Sequence, residues 1–172
     1  SDHGYHLGEH GLWFKQSCFE ESAKSPFILP APGSEYAGRL CYKPVELVDI
    51  YPTLAELTGL RPPAGLEGFS LAPLLKDPES AWSHPAYTQV QRGNTPGHSV
   101  RTDVWRYTEW GYGKMGTELY NEITDPQELN NLAGNPKYAE VINEMKLLLK
   151  NIHPVAVEGE KAIPEIKVRF VD

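Results

Sequence analysis

Asp2 and His3 are neighbours at the start of the chain, and Lys15 follows twelve residues after His3. A carboxylate and an imidazole offered from adjacent positions of a turn can hold a divalent ion while leaving other positions on it open to substrate. Lys15 brings a compact charge with three donors, which suits an oxygen of a sulfate or phosphate group. His6, Glu9 and His10 lie between them, and with His3 they offer a second reading as a zinc site, since His6 and His10 are four apart. Gly8 interrupts the helix face that would align that pair, and the sequence is not HExxH. On composition alone the same residues also read as a frayed terminus and a solvated surface charge. Gly4, Gly8 and Gly11 break any helical register, so these side chains belong on a loop, where binding groups collect when a scaffold holds them.

The remaining sequence must supply that scaffold. Of 172 residues 40% are hydrophobic and 23% charged, the balance of a chain that buries a core. A net charge of −7 argues against nucleic acid as a partner, because phosphate binding needs a basic stripe. No apolar run approaches the roughly 20 residues of a membrane span. Pro26 to Pro30 reads as a buried strand entering a turn at Pro32 and Gly33. Leu47, Ile50, Tyr51, Leu54 and Leu57 recur at helical spacing, predicting a core-facing helix that ends at Gly59. Pro52 requires either that Asp49 cap a shorter helix or that the helix kink. Residues 61 to 85 read as a connector with one or two helical turns around Phe69, Leu71, Leu74 and Leu75. Beyond it the period shifts towards two, and Ala86–Val90, Ser99–Thr102, Trp105–Trp110 and Glu118–Asn121 predict short antiparallel strands. Asn135 then caps a helix entered through Pro136, with a stripe of Tyr138, Val141, Ile142, Met145, Leu148, Leu149 and Ile152 ending before Pro154. Ile166, Val168 and Phe170 alternate weakly, as in a last strand or a loose tail.

The opening SDHGYHLGEHGLWFK strongly resembles the second metal-loop signature of the type I sulfatases, and within them most resembles the iduronate-2-sulfatase branch. The likeness continues in Ser25-Pro26-Phe27-Ile28, in Val48-Asp49-Ile50-Tyr51-Pro52-Thr53-Leu54, and in Val100-Arg101-Thr102-Asp103 with Trp105-Arg106-Tyr107. Glu118-Leu119-Tyr120-Asn121 with Thr124-Asp125-Pro126 extends it to residue 126. The resemblance implies an incomplete alkaline-phosphatase-like α/β fold. Residues 1–84 would be the C-terminal part of the catalytic domain, and residues 85–172 an antiparallel β subdomain with a terminal helix. By position, Asp2 and His3 match metal ligands for calcium, Lys15 matches the sulfate-contacting catalytic lysine, and Tyr5 falls where the loop faces the sugar. Calcium prefers oxygen, which leaves open that His3 contacts the sulfate instead.

The same resemblance implies that the nucleophile, a formylglycine made from the Cys or Ser of C/S-x-P-x-R, lies in an N-terminal part of the protein. Cys18 is followed by Phe19-Glu20-Glu21 and Cys41 by Tyr42-Lys43-Pro44, so neither fits that motif. The two cysteines read instead as core thiols or one bridge. The expected partners are that N-terminal part and a sulfated sugar, and the expected compartment is extracytoplasmic: periplasmic, secreted or lysosomal. A phosphoryl or phosphonate hydrolase of the same superfamily is the alternative enzyme, and a non-catalytic binding fragment the alternative of another class.

Overall fold

The computed structural model describes residues 1–30 and 33–152. The expectations for Pro32, for the helix end at Pro154 and for a strand through Ile166, Val168 and Phe170 lie outside the described residues.

Four strands, β1 (Ala86–Arg92), β2 (Thr95–Arg101), β3 (Trp105–Trp110) and β4 (Gly116–Asn121), form one antiparallel meander in the order β1-β2-β3-β4. Gly93, at φ 56°, begins the two-residue turn between Arg92 and its partner Thr95, a conformation that costs an L side chain more than glycine. Helix α4 (Ala139–Ile152) follows a 3-10 turn, Pro136–Tyr138. The Asn135 side chain accepts from the Lys137 backbone N–H at 3.0 Å, the cap that the sequence predicts. One face of the sheet presents Val100, Tyr107 and Leu119, all fully buried against Met145 and Leu149 of α4. Tyr138, Val141, Ile142 and Leu148 close the sides of that core.

The other face is mixed, with Val90, Trp110 and Tyr120 beside a set of polar side chains. The register aligns Thr88, Ser99, Thr108 and Glu118 in one row across the four strands, and Thr108 Oγ1 donates to Ser99 Oγ at 2.9 Å. Arg106, 2% exposed, lies in the next row among three carboxylates. It pairs with Glu20 of the short helix α1 (Glu20–Ala23), with Glu122 at 3.3 Å and with Glu128 at 2.6 Å. Arg101 adds a second guanidinium, 3.6 Å from Glu122 and 3.9 Å from Glu20. Glu128 also accepts the Glu20 backbone N–H at 2.7 Å. The first 24 residues are thus fastened to a sheet more than 80 residues away in sequence.

Two segments depart from the sequence reading. Phe27 to Leu29 form no strand, and Ile28 is 90% exposed. An extended apolar segment becomes a strand by pairing, and no strand among the described residues lies beside it. The helix expected from Leu47 divides into a 3-10 turn, Leu47–Asp49, and α2 (Ile50–Leu57). Pro52 falls in the first turn of α2, where a missing N–H leaves no bond unmade, so the shorter helix forms without a kink. Its buried side is not the apolar stripe but Pro52 and Thr53, with Asp49 of the preceding turn beside them. Asp49 accepts from the Glu46 and Phe69 backbones at 2.9 and 2.7 Å, and the Thr53 hydroxyl accepts the Leu71 N–H at 2.8 Å. Leu47, Tyr51, Leu54 and Leu57 face outward. In the connector, α3 (Ala72–Lys76) buries Leu74, with Leu71 beside it. Neither cysteine is bridged, and the core position expected for both holds for Cys18 alone, since Cys41 is exposed. Burial pushes the Cys18 thiol up to about 12, which keeps it protonated and inert. Among the described residues no helix is long and apolar enough to cross a membrane.

Two guanidiniums and three carboxylates leave the buried cluster one negative charge in excess. Desolvation accordingly pushes Glu128 up to about 8, against an ordinary value of 4.5. Between those values the folded chain holds a proton that the unfolded chain has released, so stability falls as pH rises through the window. The contribution is fully present below about pH 4.5 and lost above about pH 8. Glu128→Gln keeps the shape without the titration and should flatten that decline in urea unfolding compared at about pH 5 and about pH 9. Equal slopes in both proteins would show that Glu128 does not carry it. Arg106→Ala, which strands the carboxylates, should cost about 3–5 kcal/mol in the same experiment.

Candidate functional site

The loop of residues 1–17 folds back on itself. The His6 N–H donates to the Phe14 carbonyl at 3.1 Å and the Gly8 N–H to the Leu12 carbonyl at 3.0 Å, so the two arms run antiparallel. A 3-10 turn, Glu9–Gly11, closes the tip, with Gly8 and His10 both at positive φ. This fold-back sets His3 beside Lys15, with the Lys15 Nζ 2.7 Å from His3 Nε2. His3 Nδ1 lies 2.6 Å from the Gly4 carbonyl, which can only accept. Nδ1 therefore carries the ring proton, and Nε2 presents a lone pair to the ammonium. The Asp2 carboxylate comes within 3.5 Å of the same Nε2. Two electron-rich groups and one cation thus meet at a single point.

Lys15 is exposed and His3 half-buried. Both line an open cleft of about 370 Å³, bounded by Ser17 and Ser22 on the loop side and by residues 88–91 of β1 on the other. Asp2 and Tyr5 do not line it. The Asp2 side chain is 88% exposed, and the Tyr5 hydroxyl donates to the Trp13 carbonyl at 3.0 Å. Of the four residues singled out from the sequence, three are gathered and Tyr5 stands apart.

Of the histidines weighed as zinc ligands, His6 and His10 hold the loop in place. His6 is fully buried, its Nε2 2.7 Å from Ser17 Oγ, and burial lowers its pKa, favouring the neutral ring. His10 stacks on Phe19 with ring centroids 3.8 Å apart. Glu9 accepts from the Leu7 backbone N–H and is exposed. His10 does bring a ligand atom within 4.8 Å of Glu21 and Glu128 oxygens. The Glu128 oxygen facing Arg106 already has that guanidinium at 2.6 Å, so a positive charge is in place there without a metal.

An imidazole nitrogen held as an acceptor beside a carboxylate fits part of a cation's ligand set. One carboxylate and one nitrogen fall short of the roughly six to eight ligands that calcium takes, so such a site would need further oxygens to complete it. The sequence offered no sign of Ser22 or of the β1 residues on the cleft. They reach it through tertiary packing, and no local pattern marks them.

Residues 8–154 match the family described as N-sulphoglucosamine sulphohydrolase, C-terminal. A sulfatase of Formosa agariphila is 36% identical over 149 residues, covering 87% of this chain and 28% of the relative. A Delta 4,5-hexuronate-2-O-sulfatase of Bacteroides thetaiotaomicron is 35% identical over 161 residues, covering 87% of this chain and 32% of the relative. A solved structure described as complexed with its substrate, D-glucosamine-2-N,6-O-disulfate, superposes with a TM-score of 0.76 at 27% identity over 93% of this chain and 35% of its own. The chain spans about three tenths of the length of the curated relatives it matches. Its small antiparallel sheet with a packed helix is the architecture these alkaline-phosphatase-like relatives share over that part. The chain belongs to the family described as N-sulphoglucosamine sulphohydrolase, C-terminal.

Proposed function

We propose that the protein containing this chain hydrolyses a sulfate ester of a sugar, with Lys15 as the sulfate-contacting catalytic residue and Asp2 and His3 as ligands for calcium. The convergence of His3 Nε2, the Asp2 carboxylate and the Lys15 ammonium beside an open cleft carries this reading. With Nδ1–H on the Gly4 carbonyl, the His3 Nε2 that faces the site is an acceptor with nothing to donate to a sulfate oxygen, which favours ligation over sulfate contact. Calcium, when bound, supplies positive charge that polarises the ester. Lys15 then turns its ammonium from His3 towards a sulfate oxygen and offsets the charge that grows on the transferring group. Tyr5, off the cleft with its hydroxyl on the Trp13 carbonyl, is assigned to the wall facing the sugar on the motif alone.

Two relatives support a sulfated sugar as the substrate class: one is named for a hexuronate 2-sulfate and one is bound to a sulfated glucosamine. Together with the opening motif this favours a uronate 2-sulfate, the chemistry of the iduronate-2-sulfatase branch. The formylglycine nucleophile and the remaining calcium ligands belong to an N-terminal part, in keeping with the three tenths of its relatives that the chain spans. That part would cover Ile28 and the outward stripe Tyr51, Leu54 and Leu57, apolar surface that a folded domain rarely leaves open. The division between the catalytic α/β part and the β subdomain is placed at residues 84 and 85, and the compartment is extracytoplasmic.

The test uses the full-length protein with an aryl sulfate, a uronate 2-sulfate and an aryl phosphonate ester. Asp2→Ala should lose calcium and turnover together. Lys15→Ala should keep calcium and lose about a hundredfold or more in kcat, the usual cost of one charge-stabilising donor. Full calcium occupancy in Asp2→Ala would remove Asp2 from the site, and preference for the phosphonate over both sulfates would replace the reaction. Residues 1–172 expressed alone should not turn over any of the three; chelator-resistant turnover would mean that the nucleophile lies within this chain.

A further inference from the structure

Lys15 lies on a loop of irregular backbone, yet its main chain is held as firmly as a strand. Its carbonyl accepts the Ser17 N–H at 2.9 Å and also accepts from the Ser22 hydroxyl. Ser22, 5% exposed, belongs to α1 and reaches the other arm of the loop as well, where its carbonyl accepts the Gly4 N–H at 3.0 Å. This contact depends on glycine: a Cβ at Gly4 would fall 1.9 Å from the Glu21 carbonyl oxygen, a backbone atom with no room to yield. One residue of α1 therefore holds the chain next to His3 and the chain at Lys15. The helix itself is anchored two residues earlier, where the Glu20 carboxylate pairs with Arg106 and its N–H donates to Glu128 at 2.7 Å.

We infer that Ser22 is a positioning residue for Lys15, and that the Glu20–Arg106–Glu128 cluster is the anchor that fixes Ser22 relative to the sheet. The inference rests on the reading that Lys15 holds the sulfate. Ser22 touches no reacting atom in this arrangement. Its hydroxyl sets the carbonyl of Lys15, hence the direction in which the lysine side chain leaves the loop, while its own carbonyl holds the arm carrying His3. Displacing a catalytic group by about 1 Å can cost on the order of a hundredfold in rate, whereas the hydrogen bond itself adds little to global stability.

Steady-state kinetics of the full-length enzyme on an aryl sulfate test this with Ser22→Ala and Glu20→Gln, each made alone and in a Lys15→Ala background. Ser22→Ala removes the hydroxyl that meets Lys15 and keeps the carbonyl that holds Gly4. It should lower kcat about 10- to 100-fold alone and by less than about 2-fold when Lys15 is already Ala, because misdirecting an absent side chain costs nothing. Glu20→Gln, which loosens the whole helix and with it the arm carrying His3, should lower kcat alone and keep part of that loss in the Lys15→Ala background. An equal fold loss in both backgrounds, or an unchanged kcat in Ser22→Ala, would make Ser22 a merely structural residue and overturn the inference. The underlying reading fails differently: either no sulfate ester is hydrolysed, or Lys15→Ala leaves kcat intact.

Discussion

The buried pairing of Arg106 with Glu20, Glu122 and Glu128 is the constraint on which the rest of the arrangement depends. A guanidinium taken out of water is costly unless carboxylates surround it, and its planar fork can satisfy several at once. Each carboxylate comes from a different place: α1, the turn after β4, and the segment before α4. Their meeting point brings these three pieces of chain together around shared guanidiniums, with one negative charge left in excess. Net stabilisation from such a cluster is modest compared with a well-packed apolar core, but alternatives that separate its members are penalised heavily. The cluster specifies an arrangement more than it adds stability.

This division of labour explains the asymmetry of the sheet. The face towards α4 is an apolar core of Val100, Tyr107, Leu119, Met145 and Leu149, and it supplies the hydrophobic stabilisation. The face towards the loop carries hydroxyls, guanidiniums and carboxylates. A loop with so many glycines brings only a few apolar side chains of its own, the buried Cys18 and the partly buried Leu12, Phe14 and Phe19, and polar contacts do much of the fastening. His6 on Ser17 and His10 on Phe19 complete that attachment, so the loop's histidines divide into two that hold it and one, His3, that meets the cleft.

The β meander and α4 were legible because alternation, turn residues and the Asn135-Pro136 cap are all local signals. The gathering of Asp2, His3 and Lys15 was legible from the opening motif. Its physical cause was not, since the fold-back rests on backbone bonds such as His6 to Phe14. The α2 stripe misled because helical spacing tells which residues share a face, not whether anything covers it. Here the buried side is Pro52 and Thr53, with Asp49 beside them. Phe27 to Leu29 misled similarly, as a strand is defined by a neighbour that the segment itself does not encode. Ser22 and Glu20 carried no signal, and Arg106 appeared only within the Trp105-Arg106-Tyr107 motif without its buried role, because contacts across 86 residues leave no trace in a local window.

That separation in sequence also imposes an order in time. As the chain leaves the ribosome from its N-terminal end, the loop with Asp2, His3 and Lys15 emerges long before Arg106 and Glu128 exist to receive α1. Closing so long a span waits for the hairpins, which form from neighbours and are entropically cheaper to assemble. The loop at the cleft is therefore among the last parts of the chain to take its final shape, and a nascent protein interrupted before residue 128 would carry every one of those side chains without the geometry that brings them to bear.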